Sequence, residues 1–234
     1  MGDFHYVGSE LDLFAEARNW KAYWSRTIGS FVRGDVLEVG AGIGSNTELM
    51  HGWTNGRWVC LEPDPAMASQ LEKNLRGSAR LQSVCGTLQT LEKTESFDTI
   101  VYIDVLEHIE DDAAEMREVA LRLRPGGRAI VLSPAHQWLF TPFDASIGHF
   151  RRYNRSSLKR ASPPELVLEK IFYLDSCGIA ASAANQLFLK QSMPTRAQIG
   201  VWDKWMIPVS RVVDPVLQYA IGKSIVGIWR RPAA

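Results

Sequence analysis

The chain of 234 residues is poor in the features that mark specialised classes of protein. Its three cysteines, Cys60, Cys85 and Cys177, are odd in number, far apart and form no C-x-x-C pair. That argues against a disulfide framework and against a zinc site, and it fits a reducing cytoplasm; no metal is expected. Neither charge is in excess, with 26 basic and 26 acidic residues, so no global field draws the chain to nucleic acid or to an anionic membrane. No stretch approaches the roughly 18 consecutive apolar residues of a membrane span. Met1-Gly2-Asp3-Phe4-His5-Tyr6 lacks the basic and apolar regions of a signal peptide, and Tyr6 stands where a myristoylation signal needs Ser or Thr. A soluble, cytoplasmic protein is expected. A phosphate-binding loop is missing too, because the glycine required five positions before Gly222-Lys223-Ser224 is Leu217. There is no internal repeat, no low-complexity tract and no convincingly spaced Ser-His-Asp set.

What is present is enough apolar material, 46% of residues, to bury one full core, so a single domain over 1–234 is expected. Residues 10–31 place Leu13, Phe14, Ala17, Trp20, Trp24, Ile28 and Phe31 at helical spacing after a Ser9-x-x-Asp12 start, which predicts an amphipathic helix within an N-terminal segment 1–34. From Asp35, apolar runs at 36–39, 58–61, 81–84, 97–103 and 128–132 alternate with helical segments, the pattern of parallel strands joined by crossover helices. Asp64-Pro65 supplies a cap and a first-turn proline for one helix, and Arg124-Pro125-Gly126-Gly127 breaks the chain before the fifth strand. Further strands are expected at 166–174 and 224–229. The predicted parts are a core at 35–175, an inserted helical cap at 176–223 rich in Trp202, Trp205, Met206, Ile207, Val212, Val213, Val216 and Leu217, and a final strand and tail at 224–234.

The most informative stretch is Val36-Leu37-Glu38-Val39-Gly40-Ala41-Gly42-Ile43-Gly44-Ser45-Asn46-Thr47, where an apolar strand runs into three glycines two apart and then into a helix. Such a turn lets a ligand approach the backbone closely. Glu38 lies at the end of an otherwise apolar strand, where a buried carboxylate needs a partner, and the amino group of a ligand would serve. A nicotinamide or flavin fold asks for G-x-G-x-x-G, but the third position is Ser45 and Gly44 completes G-x-G-x-G.

That run resembles the first motif of class I S-adenosylmethionine-dependent methyltransferases, and Asp104-Val105-Leu106-Glu107-His108-Ile109, after the fourth strand, resembles the family's fourth-strand motif. The resemblance implies an α/β, Rossmann-like, seven-stranded and mostly parallel sheet with one antiparallel strand and helices on both faces. It implies S-adenosylmethionine as cofactor, held by Glu38, Gly40, Ala41, Gly42, Gly44, Asn46 and Thr47, by Glu62 and Pro63, by Gly86, Thr87 and Leu88, and by Asp104 and Val105. Glu62, at the tip of the second strand, is placed to accept bonds from ribose hydroxyls, the alternative being to cap the next helix. Where relatives have a Gly-Asp pair against the adenine, this chain has Gly86-Thr87.

Methyl transfer from a sulfonium is an in-line displacement that needs alignment, exclusion of water and, for a hydroxyl acceptor, removal of a proton. Asp104, His108 and His149 are the candidate catalytic residues. Thr141 to Tyr153 resembles a Pro-Phe-Asp…Gly-His-aromatic-Arg-Arg-Tyr segment of some small-molecule methyltransferases. With Tyr23 and His136 it offers acceptor contacts through Phe143, Asp144, Arg151, Arg152 and Tyr153. Its arginines either clamp a carboxylate or phosphate or pair with the acidic run 107–112. O-methylation of a small molecule is the preferred reading. N- or C-methylation, an NAD(P)-dependent oxidoreductase and a non-catalytic cofactor-binding module are the alternatives. The apolar 176–223 segment is compatible with core packing, with shelter for an aromatic or lipid-linked acceptor, with peripheral bilayer contact or with a homodimer interface.

Overall fold

In a computed structural model the described residues are 16–184 and 195–233. The start of the expected N-terminal helix, with Leu13, Phe14 and the Ser9-x-x-Asp12 cap, lies outside them. The remainder forms α1 (Arg18–Gly29), whose Trp20, Tyr23, Trp24 and Ile28 are buried as the periodicity predicts. Its first turn is capped from far along the chain, because the Asp203 carboxylate accepts from the amides of Asn19 (3.2 Å) and Trp20 (2.8 Å).

The sheet contains β1 (Val36–Val39), β2 (Trp58–Glu62), β3 (Leu81–Cys85), β4 (Phe97–Ile103), β5 (Leu123–Pro134), β6 (Val167–Leu174) and β7 (Ser224–Arg230). Its seven strands run in the order β3-β2-β1-β4-β5-β7-β6, with β7 antiparallel to both neighbours and the other pairings parallel. Strands close to the expected positions appear in every case but one. β5 begins at Leu123 rather than 128, because Leu123 already pairs with Phe97 and residues 124–127 bulge opposite Asp98 before pairing resumes at Thr99 and Arg128. Gly126, at φ 78°, makes that bulge.

Helices cover both faces. On one, α4 (Asp112–Arg122) and α6 (Arg155–Ala161) bury Met116, Val119, Leu158 and Ala161. On the other, α1 and α3 (Pro65–Asn74) pack with Ile199, Trp202 and Ile207 of the late helical segment. α3 starts as its sequence predicts, with Asp64 accepting from Ala66 and Met67 amides and Pro65 in the first turn. Short helices α2 (Ser45–Met50) and α5 (Pro142–Ser146) follow β1 and β5.

Residues 176–223 contribute α7 (Ser176–Ala184), α8 (Arg196–Val201), a π-helical turn (Trp202–Met206) and α9 (Ile207–Val216). Two buried carboxylates knit them to the sheet. Asp175 accepts from Trp202 Nε1 (2.7 Å), Ser210 Oγ (2.9 Å) and the Gly178 amide (2.8 Å). Asp214 accepts from Tyr23 Oη (2.7 Å) and the amides of Asp175 and Ser176. Among the described residues no helix is long and apolar enough to cross a membrane.

Glu38 does not wait for a ligand. Its Oε2 accepts from Thr47 Oγ1 (2.7 Å) and Trp58 Nε1 (2.9 Å) in the core between β1 and β2. Burial pushes its carboxyl up to about 7, against the opposing effect of those two bonds. A raised folded value gives stability that is present below the unfolded pKa and lost as pH rises through the folded one. Wild type should therefore lose on the order of 3 kcal/mol between pH 4.5 and pH 8 through this residue. Glu38→Gln keeps an oxygen for both donors and should flatten that part of the profile in urea unfolding. Identical pH profiles for the two proteins would contradict this assignment.

Candidate active site

The order of strands reverses between β1 and β4, and the chain leaves both at their carboxyl ends, which opens a crevice there. A cavity of about 1030 Å³ occupies it. The β1 turn forms one wall with Gly40, Ala41, Gly42 and Asn46. Gly40 has φ 67°, and a Cβ there would stand 2.5 Å from Val105 Cγ2, so only glycine lets the turn lie against the chain that leaves β4. Its amide and that of Ala41 are tied to the Leu61 carbonyl at 2.8 and 3.1 Å.

Glu62 ends β2 beside that turn. Its Oε2 accepts from the Gly42 amide (2.8 Å) and its Oε1 from the Asp64 amide (2.9 Å), which braces the carboxylate at the cavity edge. Burial raises its pKa, against the effect of both bonds. Each carboxylate oxygen accepts about two bonds, so both keep acceptor capacity for a pair of adjacent hydroxyls. Pro63, Gly86 and Thr87 continue the wall.

Asp104 follows β4 in the left-handed region (φ 55°), a conformation that costs energy for a non-glycine residue and clusters at functional sites. Its side chain is open to the cavity yet ringed by protein. That enclosure pushes its carboxyl up to about 6, against the pull of His149, Lys223 and Arg152.

Opposite lies the segment after β5. Buried Asp144 organises it, accepting from the amide and hydroxyl of Thr141 (2.8 and 2.9 Å) and twice from Arg152 (2.8 and 2.9 Å), with His149 Nδ1 at 3.0 Å. Burial alone would raise its pKa, but the bonds from His149 and Arg152 hold it well below the usual carboxylate range. The His108 ring packs edge-on against His149, with centroids 4.5 Å apart and planes at 80°. Burial, and secondly His149, push His108 down to about 4, so it is neutral near pH 7. Trp20, Trp24, Ile199, Trp202 and Met206 give the cavity an apolar side.

Residues 37–131 match the family model described as a methyltransferase domain. Over that stretch, from β1 into β5, the chain resembles a methyltransferase domain. No curated protein matches it in sequence. Several solved structures share its architecture. The candidate methyltransferase of Haloferax volcanii, in complex with the Trm112 methyltransferase activator, superposes with a TM-score of 0.64 at 15% identity, covering 97% of this chain and 98% of that one. A candidate sarcosine dimethylglycine methyltransferase from Galdieria sulphuraria gives 0.61 at 18%, covering 91% and 84%. The N-methyltransferase NodS from Bradyrhizobium japonicum, in complex with S-adenosylhomocysteine, gives 0.58 at 14%, covering 93% and 88%. At these identities the likeness is one of fold.

Of the residues expected at the site, Gly40, Ala41, Gly42, Asn46, Glu62, Pro63, Gly86, Thr87, Asp104 and Val105 line the cavity, as do His108, Phe143, Asp144, His149 and Arg152. The other expected site residues do not. Glu38 and Thr47 bond each other in the core, Gly44 turns toward Leu71, and Leu88 is fully buried. Tyr23, expected over the ligand, donates instead to buried Asp214. His136 (φ 68°) stacks on Tyr173 at 4.9 Å, and its ring lies 3.1 Å from the Gly222 carbonyl. Arg151 pairs with Asp112 (2.8 Å) and donates to the Ile109 and Glu110 carbonyls, so of the two readings of this arginine the acidic run 107–112 holds it. Tyr153 is fully buried, its hydroxyl donating to Asp112 (2.7 Å) with the Leu106 carbonyl 3.2 Å away.

Sequence reasoning passed over Glu107, which reads as one more acid at a helix start. It is fully buried in the cavity wall, with Oε2 accepting from Ser133 Oγ (2.9 Å). Its position three after Asp104, in a tight turn, was the available signal. Lys223 and Trp20 also line the site unannounced by any motif. Because Asp144 holds Thr141, His149 and Arg152 together, Asp144→Ala should cost about 3 kcal/mol of stability, the scale of a buried ion pair with one partner removed. Chemical denaturation measures it, and a loss below about 0.5 kcal/mol, the scatter of ordinary surface substitutions, would contradict the role.

Proposed function

We propose that the domain transfers the methyl group of S-adenosylmethionine to the hydroxyl of a small-molecule acceptor. The observation that carries the donor assignment is Glu62, a carboxylate braced by the Gly42 and Asp64 amides with acceptor capacity left on both oxygens. Ribose hydroxyls suit it, the amino-acid end of the donor suits the Gly40–Gly42 turn, and the adenine suits Gly86 and Thr87. NodS, of the same fold, is solved with the demethylated product, which agrees with this reading.

Displacement at a sulfonium needs the acceptor oxygen in line with the methyl group and free of competing water. Trp20, Trp24, Trp202 and Met206 favour an acceptor with an apolar, aromatic body and shed water from it. Asp104 stands where the donor turn meets the acceptor wall and takes the hydroxyl proton as the carbon–oxygen bond forms. Neutral His108 and the Asp144-held His149 orient that hydroxyl. Arg152, neutralised by Asp144, positions rather than clamps. NodS carries the name of an N-methyltransferase, so an amine acceptor is the competing chemistry.

Calorimetric titration with S-adenosylhomocysteine and with NADH separates donor classes; binding of NADH alone would refute the methyl-donor reading. Glu62→Ala should weaken S-adenosylhomocysteine binding by about 1.5 to 3 kcal/mol, the worth of a charged hydrogen bond, and unchanged affinity would remove Glu62 from the ribose. With labelled donor and a panel of phenols and amines, mass spectrometry should find the label on oxygen. Asp104→Asn should lower kcat by about 10² to 10⁴, the usual share of a general base, with little change in S-adenosylhomocysteine affinity. Full turnover in that variant, or label on nitrogen alone, would overturn the acceptor assignment.

A further inference from the structure

Glu107 poses a problem that the methyl-transfer chemistry leaves unsolved. Its side chain is fully buried, and while Oε2 is satisfied by Ser133, Oε1 has no hydrogen-bond partner. A carboxylate oxygen enclosed in that way is costly unless something positive meets it. Asp104 beside it aggravates the cost, and the nearby Arg152 guanidinium is bonded to Asp144. What does face Oε1 is His149 Nε2, at 3.9 Å, too far for a hydrogen bond.

That spacing suits two ligands of one ion. We propose that Glu107, His108 and His149 form a binding site for a divalent transition metal of the zinc class, open on its fourth side to the cavity. One ligand atom from each lies within 4.8 Å of the others. Tetrahedral coordination at about 2.0 to 2.1 Å sets ligand atoms about 3.3 Å apart, which small side-chain rotations reach from here.

The surroundings are built as metal sites are built. His149 Nδ1 is held at 3.0 Å by buried Asp144, which fixes the tautomer and leaves Nε2 the lone pair that faces Glu107. The ring of His108 is hydrogen-bonded to the Gly148 backbone, a second orienting contact of the same kind. Ser133 anchors the other oxygen of Glu107. Two imidazoles and one carboxylate select zinc, cobalt and similar borderline ions over magnesium or calcium, which prefer all-oxygen sets. The open position faces the acceptor space beside Asp104, so a substrate oxygen is the natural fourth ligand. The three residues escape a spacing search because His149 arrives from the loop after β5, while the other two follow β4.

The test uses full-length protein stripped with chelator and titrated at neutral pH with Co²⁺, Zn²⁺ and Mg²⁺, by calorimetry and by the cobalt visible spectrum. One equivalent of Co²⁺ or Zn²⁺ should bind, with cobalt bands of low coordination number, and Mg²⁺ should bind far more weakly. Glu107→Gln and His149→Ala should each weaken Co²⁺ binding at least tenfold, as should Asp144→Asn through the histidine that it orients. S-adenosylhomocysteine affinity, measured in parallel, shows that each variant is folded and reports the donor site separately. No stoichiometric Co²⁺ or Zn²⁺ binding, or binding undiminished in both folded ligand variants, would overturn the proposal.

Discussion

The functional side of this molecule depends on one close approach. β1 ends at Gly40, and the chain leaving β4 passes it so tightly that a Cβ at that glycine would run into Val105. The contact makes a single wall of two loops that are far apart in sequence, with the glycine turn and Glu62 to one side and Asp104 to the other. Parallel strands and the reversal of their order between β1 and β4 supply the opening. The backbone of the turn is pinned by hydrogen bonds to Leu61 and Glu62.

The acceptor side is organised by charge rather than by shape. Asp144 is the hub, because a buried carboxylate must be met on several sides and each partner it gathers belongs to the site. Two further carboxylates, Asp104 and Glu107, face the same space with fewer partners, and both are pushed toward the protonated form. A pocket that keeps under-compensated acids beside the neutral His108 is suited to receiving a proton or a cation. Apolar residues from α1 and the 176–223 segment shut water away from it.

Much of this was legible in the sequence because the signals are local. The glycine spacing, the acid at the tip of β2 and the Asp104 motif each mark a backbone position, and all three fall at the cavity. The misplaced residues share a different property: their partners are distant in sequence. Glu38 looked like a ligand-binding acid, since nothing nearby in the chain announces Thr47 and Trp58 as its donors. Arg151 and Tyr153 looked like acceptor contacts until Asp112 claimed both. Tyr23 belongs to Asp214, from a helix near the other end of the chain. Glu107 failed the other way, since in an acidic run composition cannot show which carboxylate turns inward. The early start of β5 was hidden because a proline-glycine cluster reads as a break, whereas here it is a bulge inside a strand.

The central claim is that the cavity between β1 and β4 is a methyl-donor site framed by Glu62 and the Gly40–Gly42 turn. A crystal structure of the protein with S-adenosylhomocysteine tests it most directly. The account predicts the ribose hydroxyls within hydrogen-bond reach of the Glu62 carboxylate and the sulfur directed toward Asp104. Nucleoside density elsewhere on the molecule, or in this cavity with Glu62 making no contact to the ribose, would contradict it.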